Sequence, residues 1–275
     1  MELRQIADTY FTAVPADIVG CVDDLIPAPV CPTFTETQTC ILLKGEAMHI
    51  DKRKCVDEYL VGHFTGAWFV DYNGDSFDSS FLLGAFVPLV CTDANDVHLY
   101  YSDQEITIVQ CEMRPYFLKR PSDFTIWTFT VLDNDLCIVG DLTRLLCMNY
   151  VTNTSVPEKE FLLPEKPLPL YDTICFHNKN IVVSYFNREY VYLLDFETGR
   201  VLCKRCLFVM YWTVDYTDQL IVLTPLKELR ILSPLLECVH CYNAFPWIGP
   251  FVADRKGNLH VADNKTNTIV KLKPH

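Results

Sequence analysis

The chain has 275 residues, half of which are hydrophobic, and it carries a formal net charge of −12. A chain of this length buries a substantial core, and its 17 Phe and 14 Tyr favour β-strands. The negative charge argues against nucleic acid as the main partner, because affinity for phosphates comes largely from clustered Lys and Arg.

Residues 1–20 lack the basic start and the apolar segment of a signal peptide. No stretch reaches the roughly 18–20 consecutive apolar residues that a membrane span needs. The 13 cysteines, an odd number, predict reduced and mostly buried thiols in such a chain. We therefore expect a cytoplasmic protein with no membrane segment and no disulfide framework.

A polar turn followed by a short apolar strand recurs along the chain at intervals of about 40 residues. The first apolar residue of this strand serves as an anchor for comparing the copies. In five copies an earlier strand lies seven residues before the anchor and a later strand begins nine residues after it. These five anchors are Val97, Leu136, Ile181, Leu220 and Leu259.

A sixth and looser copy precedes the other five. Met48 is its expected anchor, and Ile41 marks its earlier strand. The step from Met48 to the next anchor is longer than the others, and we assign the extra length to a polar, aromatic insertion at residues 73–81.

Each repeat therefore contains three clear strands, labelled a, b and c in chain order, and a more variable fourth strand, d. A repeated four-stranded antiparallel unit is typical of a β-propeller blade; the alternative is an all-β sandwich with evenly spaced hairpins. We predict one all-β, six-bladed propeller domain over residues 1–275. Residues 1–38 form an N-terminal closing segment, and the blades are anchored near residues 48, 97, 136, 181, 220 and 259.

The last copy, "FVADRKGNLHVADNKTNTIVKL" (251–272), resembles an NHL repeat through Asp254, Gly257, Asn258, Val261, Ala262, Asp263 and Ile269. The resemblance implies a six-bladed scaffold for protein or RNA recognition, often found at the C-terminus of TRIM-type ubiquitin ligases. No Cys-x-x-Cys pair precedes residue 203, so the zinc modules of those ligases are not expected, and neither is their coiled coil. The Gly-His and Trp-Asp pairs of WD repeats do not recur.

Two Cys-x-x-Cys pairs, Cys203/Cys206 and Cys238/Cys241, have the spacing of zinc ligands. Both are expected on d strands, where residues i and i+3 point to opposite faces of the sheet. The two strands also belong to neighbouring blades. We therefore favour packed thiols over a metal site, and we expect no cofactor.

Asp215 and Asp254 occupy equivalent positions at the ends of two a strands. In a metal-dependent hydrolase of the gluconolactonase-like class, carboxylates at such positions would bind a divalent cation. No convergent Glu accompanies them, so we expect each to bond the backbone of its own turn. His49, His98 and His260 share an expected position on b strands, where packing between blades is the favoured role.

Turns and loops expose the recognition residues of a rigid propeller. The b–c turns are expected to place Asp103, Arg144, Arg188, Lys227 and Lys265 on one face. The d–a loops bring Trp127, Trp212 and Trp247 beside them. Aromatic residues with Arg are common in binding hot spots. We therefore predict a non-catalytic scaffold or adaptor that binds a protein segment on this face; the alternatives are an RNA-binding NHL-type propeller and the metal-dependent hydrolase.

The final repeat stops after its c strand, at residues 267–273, and has no d strand of its own. An unpaired strand edge exposes backbone N–H and C=O groups and promotes aggregation. We predict that an N-terminal strand, either residues 7–14 or residues 16–22, pairs antiparallel with residues 267–273 and closes the ring.

Overall fold

A computed structural model describes most of the chain from residue 34 onward, and all described residues belong to the unit Cys31–His275. The described ranges are 34–42, 47–52, 58–63, 66–71, 76–78, 89–92, 97–102, 105–109, 114–132, 135–163, 170–185, 190–243 and 245–274. These ranges contain β-strands and turns, and among them there is no helix long and apolar enough to cross a membrane.

The strands that the structure describes form six four-stranded antiparallel sheets, the blades. Five of the blades are built from four consecutive strands. Blade 1 contains β2 (Ala47–Lys52), β3 (Glu58–His63), β4 (Gly66–Asp71) and β5 (Ser76–Asp78). Blade 2 contains β6 (Leu89–Thr92), β7 (His98–Ser102), β8 (Glu105–Val109) and β9 (Tyr116–Phe117). Blade 3 contains β10 (Thr128–Val131), β11 (Leu136–Gly140), β12 (Arg144–Asn149) and β13 (Lys159–Leu162).

The remaining blades follow in chain order. Blade 4 contains β14 (Leu170–Cys175), β15 (Ile181–Tyr185), β16 (Tyr190–Leu194) and β17 (Val201–Cys206). Blade 5 contains β18 (Tyr211–Val214), β19 (Leu220–Leu223), β20 (Leu229–Leu232) and β21 (Cys238–Tyr242). Blade 6 combines β22 (Phe251–Ala253), β23 (Leu259–Asp263) and β24 (Thr268–Pro274) with the first strand, β1 (Phe34–Leu42).

The first strands of the blades contact one another in sequence around the ring, and the first strand of blade 6 contacts that of blade 1. This arrangement is a closed β-propeller, so the predicted all-β propeller of four-stranded antiparallel blades is confirmed. The number of sheets equals the number of anchors in the sequence repeat.

The core of the propeller lies in layers between neighbouring blades. One cluster joins Leu146 of blade 3 to Leu99 of blade 2, and another joins Val222 of blade 5 to Val182 of blade 4. The b strands β15 and β23 are buried at every position, because neighbouring blades cover both faces of each sheet. The d strand β17 alternates between exposed and half-buried residues, since it lies at the outer rim.

The a–b turns of blades 4, 5 and 6 share one backbone geometry. Each has a residue in the left-handed region, namely Lys179 (φ 72°), Asp218 (φ 61°) and Gly257 (φ 78°). The N–H of each donates to the carbonyl oxygen three residues earlier, at 2.9, 3.2 and 2.9 Å. The glycine of the NHL-like segment therefore occupies a position that glycine adopts without steric cost.

The ring is closed by a strand from the N-terminal part of the chain, as predicted, but the strand differs from the two candidates. β1 pairs antiparallel with β24 from Phe34↔Pro274 to Leu42↔Thr268. The candidate segments 7–14 and 16–22 lie outside the described residues. In the sequence, the apolar run around Ile41 resembles an a strand. In the structure this run belongs to β1, which is the d strand of blade 6.

The first sequence repeat is consequently shifted by one strand. Met48 lies on β2, which is the a strand of blade 1, and Tyr59 on β3 is the equivalent of the other anchors. Residues 76–78, within the expected insertion, form the short d strand β5. The single domain over residues 1–275 stays a prediction.

Candidate functional site

The antiparallel order of strands divides the turns between two faces of the propeller. The b–c turns and the d–a loops lie on one face, here called the upper face, and the a–b and c–d turns lie on the lower face. Of the predicted binding residues, Asp103 and Arg188 fall outside the described residues. The other six are Trp127, Arg144, Trp212, Lys227, Trp247 and Lys265.

Arg144 is held by three carboxylates on the upper edge of blade 3. Its Nη2 donates to Asp123 at 2.7 Å, its Nη1 to Glu160 at 3.2 Å and its Nε to Asp141 at 3.4 Å. The guanidinium also lies over the ring of Phe124, 5.4 Å from the ring centroid. Arg144 therefore links the d–a loop, the b–c turn and strand d of the same blade.

This arrangement changes the proton affinity of both partners of the closest ion pair. The hydrogen bond to Asp123 raises the pKa of Arg144 above its ordinary value. The same hydrogen bond lowers the pKa of Asp123, which keeps this exposed carboxylate ionised. Arg144 thus acts as a positioning cross-link, and its charge is compensated by its neighbours.

Trp127 presents the most exposed ring of the three predicted tryptophans, with 41% of its surface accessible. Its backbone N–H donates to the carbonyl of Gly140 at 2.8 Å, which places it beside the b–c turn. Leu142, 41% exposed, lies in that turn, and Leu162, 67% exposed, lies opposite Arg144 on strand d. Trp127, Leu142 and Leu162 are together called the blade 3 patch: they are exposed apolar residues on the upper edge of the blade, next to strand a, in the b–c turn and on strand d.

Trp212 is buried and has a structural role. Its Nε1 donates to Oδ2 of Asp172 at 2.8 Å, and Oδ1 of Asp172 accepts from the Thr128 hydroxyl at 2.9 Å. Trp212, Asp172 and Thr128 lie on the a strands of blades 5, 4 and 3. This network therefore fixes three neighbouring a strands relative to one another.

The remaining predicted residues lie on blades 5 and 6. Trp247 is half-buried and packs edge-on against Phe245, with 5.2 Å between the ring centroids. Lys227 and Lys265 are exposed in the b–c turns of blades 5 and 6. Leu226, beside Lys227, is also exposed. Of the six described residues, five therefore lie on the upper face, spread over blades 3, 5 and 6, whereas Trp212 is buried between blades and is not available to a partner there.

Asp215 and Asp254 bond their own turns, as predicted. Oδ1 of Asp215 accepts from the amides of Thr217 and Gln219, both at 2.8 Å. Oδ1 of Asp254 accepts in the same way from Lys256 and Asn258, at 2.8 and 2.9 Å. Burial raises the pKa of Asp254, but the hydrogen bonds from Asn258, His260 and the backbone outweigh it and lower that pKa to about 2.

His260 packs between blades, as predicted, and is 1% exposed. Its Nε2 lies 3.0 Å from Oδ2 of Asp254, and its Nδ1 lies 2.6 Å from the hydroxyl of Tyr59 on blade 1. His98 is also buried on a b strand, whereas His49 lies on β2, an a strand, because the first repeat is shifted. Among the described residues no three His, Cys, Asp or Glu side chains are grouped as a metal site requires.

Sequence reasoning missed Leu142, Leu162 and the carboxylates around Arg144. Leu142 interrupts a polar turn, and this signal was available in the sequence. The exposure of Leu162 depends on its position on the outer strand, which the repeat pattern left variable. Asp123 lies 21 positions from Arg144, and nothing in the local sequence indicates that the two residues pair.

Several solved β-propeller structures are similar to this chain. The WD40 propeller domain of Doa1 superposes with a TM-score of 0.62 at 11% identity, over 89% of this chain and 98% of that chain. A streptogramin B lyase gives a TM-score of 0.62 at 11% identity, over 88% and 98%. The WD40 domain of Neurospora crassa Pan2 gives 0.59 at 12% identity, over 90% and 98%.

At these identities the similarity establishes the propeller fold alone. No protein-family model and no curated protein matches the sequence.

Proposed function

We propose that this propeller is a non-catalytic scaffold that binds a segment of a partner protein on its upper face. The observation that carries the proposal is that the blade 3 patch exposes three large apolar residues, Trp127, Leu142 and Leu162, along the upper edge of one blade. Tryptophan is enriched among residues that dominate binding energy, and clustered exposed apolar side chains are typical of interaction sites. Two WD40 propellers are among the similar structures, and scaffolding is compatible with that fold.

The charges around the patch favour a partner segment that carries basic residues beside apolar ones. Asp123, Asp141 and Glu160 surround Arg144, and Arg120 donates to the carbonyl of Phe124 in the same loop. Carboxylates therefore outnumber guanidinium groups at this edge, and the whole chain carries a net charge of −12. Opposite charges steer association and select among partners.

A displayed library of peptides from disordered protein segments tests the proposal with the purified chain. We expect enriched peptides with apolar residues flanked by Lys or Arg. Affinity for the best peptide should fall at least about tenfold in Trp127→Ala, because a hot-spot tryptophan contributes roughly 2 kcal/mol or more. Leu235→Ser is the matched control, since Leu235 is an exposed apolar residue on the lower face.

An equal loss in Leu235→Ser, or unchanged affinity in Trp127→Ala, would contradict the proposal. The thermal midpoint of each variant is measured in parallel, so that loss of binding is separated from loss of folding.

RNA binding by an NHL-type propeller is the second candidate, and the NHL-like residues 251–272 favour it. It requires cations that are available to phosphates, and Lys227 and Lys265 are exposed on the upper face. RNA binding is distinguished by measuring the affinity of the chain for single-stranded RNA, which should fall steeply as the salt concentration is raised. The hydrolase alternative requires carboxylates directed towards a cation, and the turn bonds of Asp215 and Asp254 give it no support.

A further inference from the structure

Strand d of blade 3, β13, is the outermost strand of its sheet, because the strand order is β10-β11-β12-β13. The hydrogen bonds at the start of β12 show which residues bond towards which neighbour. Asp141 N–H donates to the carbonyl of Arg144 at 3.0 Å, so Arg144 bonds towards strand b. Leu163 N–H donates to the carbonyl of Thr143 at 3.3 Å, so Thr143 bonds towards strand d. This alternation continues from residue to residue along an antiparallel strand.

The alternation decides which backbone groups of β13 point away from the blade. The register pairs Leu145 with Phe161, and the pairing runs along β13 without a shift. Because Leu145 bonds towards β13, Phe161 bonds back to it. The backbone N–H and C=O groups of Glu160 and Leu162 therefore point outwards. In the described part of the chain, no hydrogen bond reaches these outward groups.

In blade 2 the corresponding outward groups are bonded from within the chain. Leu118 N–H donates to the carbonyl of Ile106 at 2.8 Å, so the backbone groups of Phe117 and Lys119 point outwards. The side-chain amide of Asn153, in the c–d turn of blade 3, accepts from Lys119 N–H at 2.7 Å and donates to the Phe117 carbonyl at 3.0 Å. This amide takes the place that a neighbouring strand would occupy, and it covers the edge of blade 2.

The rim strands of blades 4 and 5 are interrupted by β-bulges. In β17 the register shift comes just before Cys203, and in β21 it lies between Cys238 and Cys241. A bulge bends and twists an edge strand and so hinders further pairing. The partners of Cys238 and Cys241 on β20 are two residues apart, so both thiols point to one side. The prediction of opposite sides is therefore wrong for this pair, whereas Cys203 and Cys206 follow it.

β13 has no bulge, and no side-chain amide is bonded to its outward groups among the residues that the structure describes. Glu160 and Leu162 are two residues apart and lie on one side of β13, whereas Phe161 is buried on the other side, in the layer with blade 4. Leu162 is exposed. Glu160 is one of three carboxylates around the single guanidinium of Arg144, so this corner keeps a net negative charge.

We propose that the partner segment is an extended strand that pairs with β13 and becomes a fifth strand of blade 3. The proposal rests on the proposed function and specifies how the segment is held. Backbone groups of the segment hydrogen-bond to the outward N–H and C=O groups of Glu160 and Leu162. An apolar side chain of the segment packs opposite Leu162, and a Lys or Arg lies opposite Glu160, two positions away.

The probe is a synthetic form of the peptide most enriched from the displayed library. A single methyl group is placed on each backbone nitrogen of the peptide in turn, which removes one N–H donor at a time. Because alternate residues of a strand bond to the same neighbour, affinity should fall at least about fivefold at every second position and change little between them. A scan without this alternation would overturn the fifth strand.

Two substitutions test the same bonds from the side of the protein. Leu162→Pro removes the outward N–H of residue 162, whereas its matched control, Leu162→Ala, removes the side chain and keeps that N–H. Proline is tolerated on an edge strand where its N–H would face solvent, so the two variants should have similar thermal midpoints. We expect Leu162→Pro to bind the probe at least about threefold more weakly than Leu162→Ala.

Equal affinities of the two Leu162 variants would overturn the fifth strand. If Leu162→Pro does not fold, the methyl scan decides alone, since it uses the unsubstituted chain. Weaker binding in Trp127→Ala without alternation in the scan keeps the scaffold on the upper face and rejects the fifth strand. Alternation with unchanged affinity in Trp127→Ala keeps the pairing with β13 and rejects the role of the blade 3 patch. A library that enriches no peptide overturns both proposals.

Discussion

The hydroxyl of Tyr59 and Nδ1 of His260 lie 2.6 Å apart, although 201 positions separate the two residues. The Asp254 carboxylate only accepts hydrogen bonds, so Nε2 of His260 carries a proton. In the neutral ring, Nδ1 therefore accepts from the Tyr59 hydroxyl. This relay connects the a–b turn of blade 6 to strand b of blade 1, where the ring closes.

Removing the Tyr59 hydroxyl should weaken this junction. In Tyr59→Phe, Nδ1 of His260 is left buried without its donor, which costs about 1–3 kcal/mol in the free energy of unfolding. Chemical denaturation monitored by fluorescence measures this loss. Tyr216→Phe is the control because Tyr216 is exposed, and its unfolding free energy should change little. Equal values for the two variants would show that the relay does not stabilise the ring.

Acid should destabilise the protein partly through Asp254. Its pKa of about 2 lies below the ordinary value of about 3.9 for an unfolded Asp. A lowered folded pKa contributes stability that is present above pH ~4 and is lost as the pH falls through ~2, because the unfolded state binds the proton first. Unfolding free energies measured between pH 5 and pH 2 should fall less steeply in Asp254→Asn. A parallel slope in both proteins would contradict this assignment.

Gly249 is predicted to tolerate no side chain. A Cβ at this position would lie 1.8 Å from the backbone oxygen of Ala262, and backbone cannot move aside as a side chain does. We expect Gly249→Ala to lower the unfolding free energy by more than about 3 kcal/mol or to prevent folding. Gly257→Ala is the comparison, because a Cβ at Gly257 meets only the Tyr216 ring at 3.8 Å. The remaining cost is that of the left-handed φ, and we expect it to lower the unfolding free energy by about 1 kcal/mol. Similar thermal midpoints would refute the predicted difference.

Replacing Lys179 with glycine is predicted to stabilise the folded protein. It adopts φ 72° at the position that Gly257 occupies in blade 6. Lys179→Gly removes the steric cost of the left-handed conformation, and after the entropy cost of glycine we expect a gain of about 0.5–1 kcal/mol. Differential scanning calorimetry measures the shift in midpoint. Lys256→Gly, outside the left-handed region, should be neutral or destabilising, and a gain of the same size there would exclude the explanation.

Local turn chemistry was readable from the sequence. Asp254, Gly257 and Asn258 follow from the requirements of a tight turn, and they occupy the predicted positions. The b-strand anchors from Val97 onward lie at or immediately before their strands, because apolar spacing along a buried strand is a local property. The first repeat is predicted one strand too early. The reason is that β1 and β2 both have strand-like sequences, and the repeat pattern does not indicate which blade each strand joins.

Contacts between residues that are distant in the chain could not be predicted from local sequence patterns. The Arg144–Asp123 ion pair and the Tyr59–His260 bond depend on how blades and loops meet. The orientation of Cys238 and Cys241 depends on a single bulged residue, and the same spacing in Cys203/Cys206 gives the opposite result. Residue types indicated candidate chemistry, whereas the bulge position decides which thiols share a face.

The pairing of β1 with β24 has a consequence for the order of folding during synthesis. β1 emerges from the ribosome before every other described strand, and β24 emerges last. Blades 1 to 5 have all four of their own strands before β24 is made, so they are able to form while the edge of β1 that pairs with β24 is still open. Contacts between residues this far apart in sequence form slowly. Synthesis of β24 therefore controls when β1 is protected from pairing with another chain.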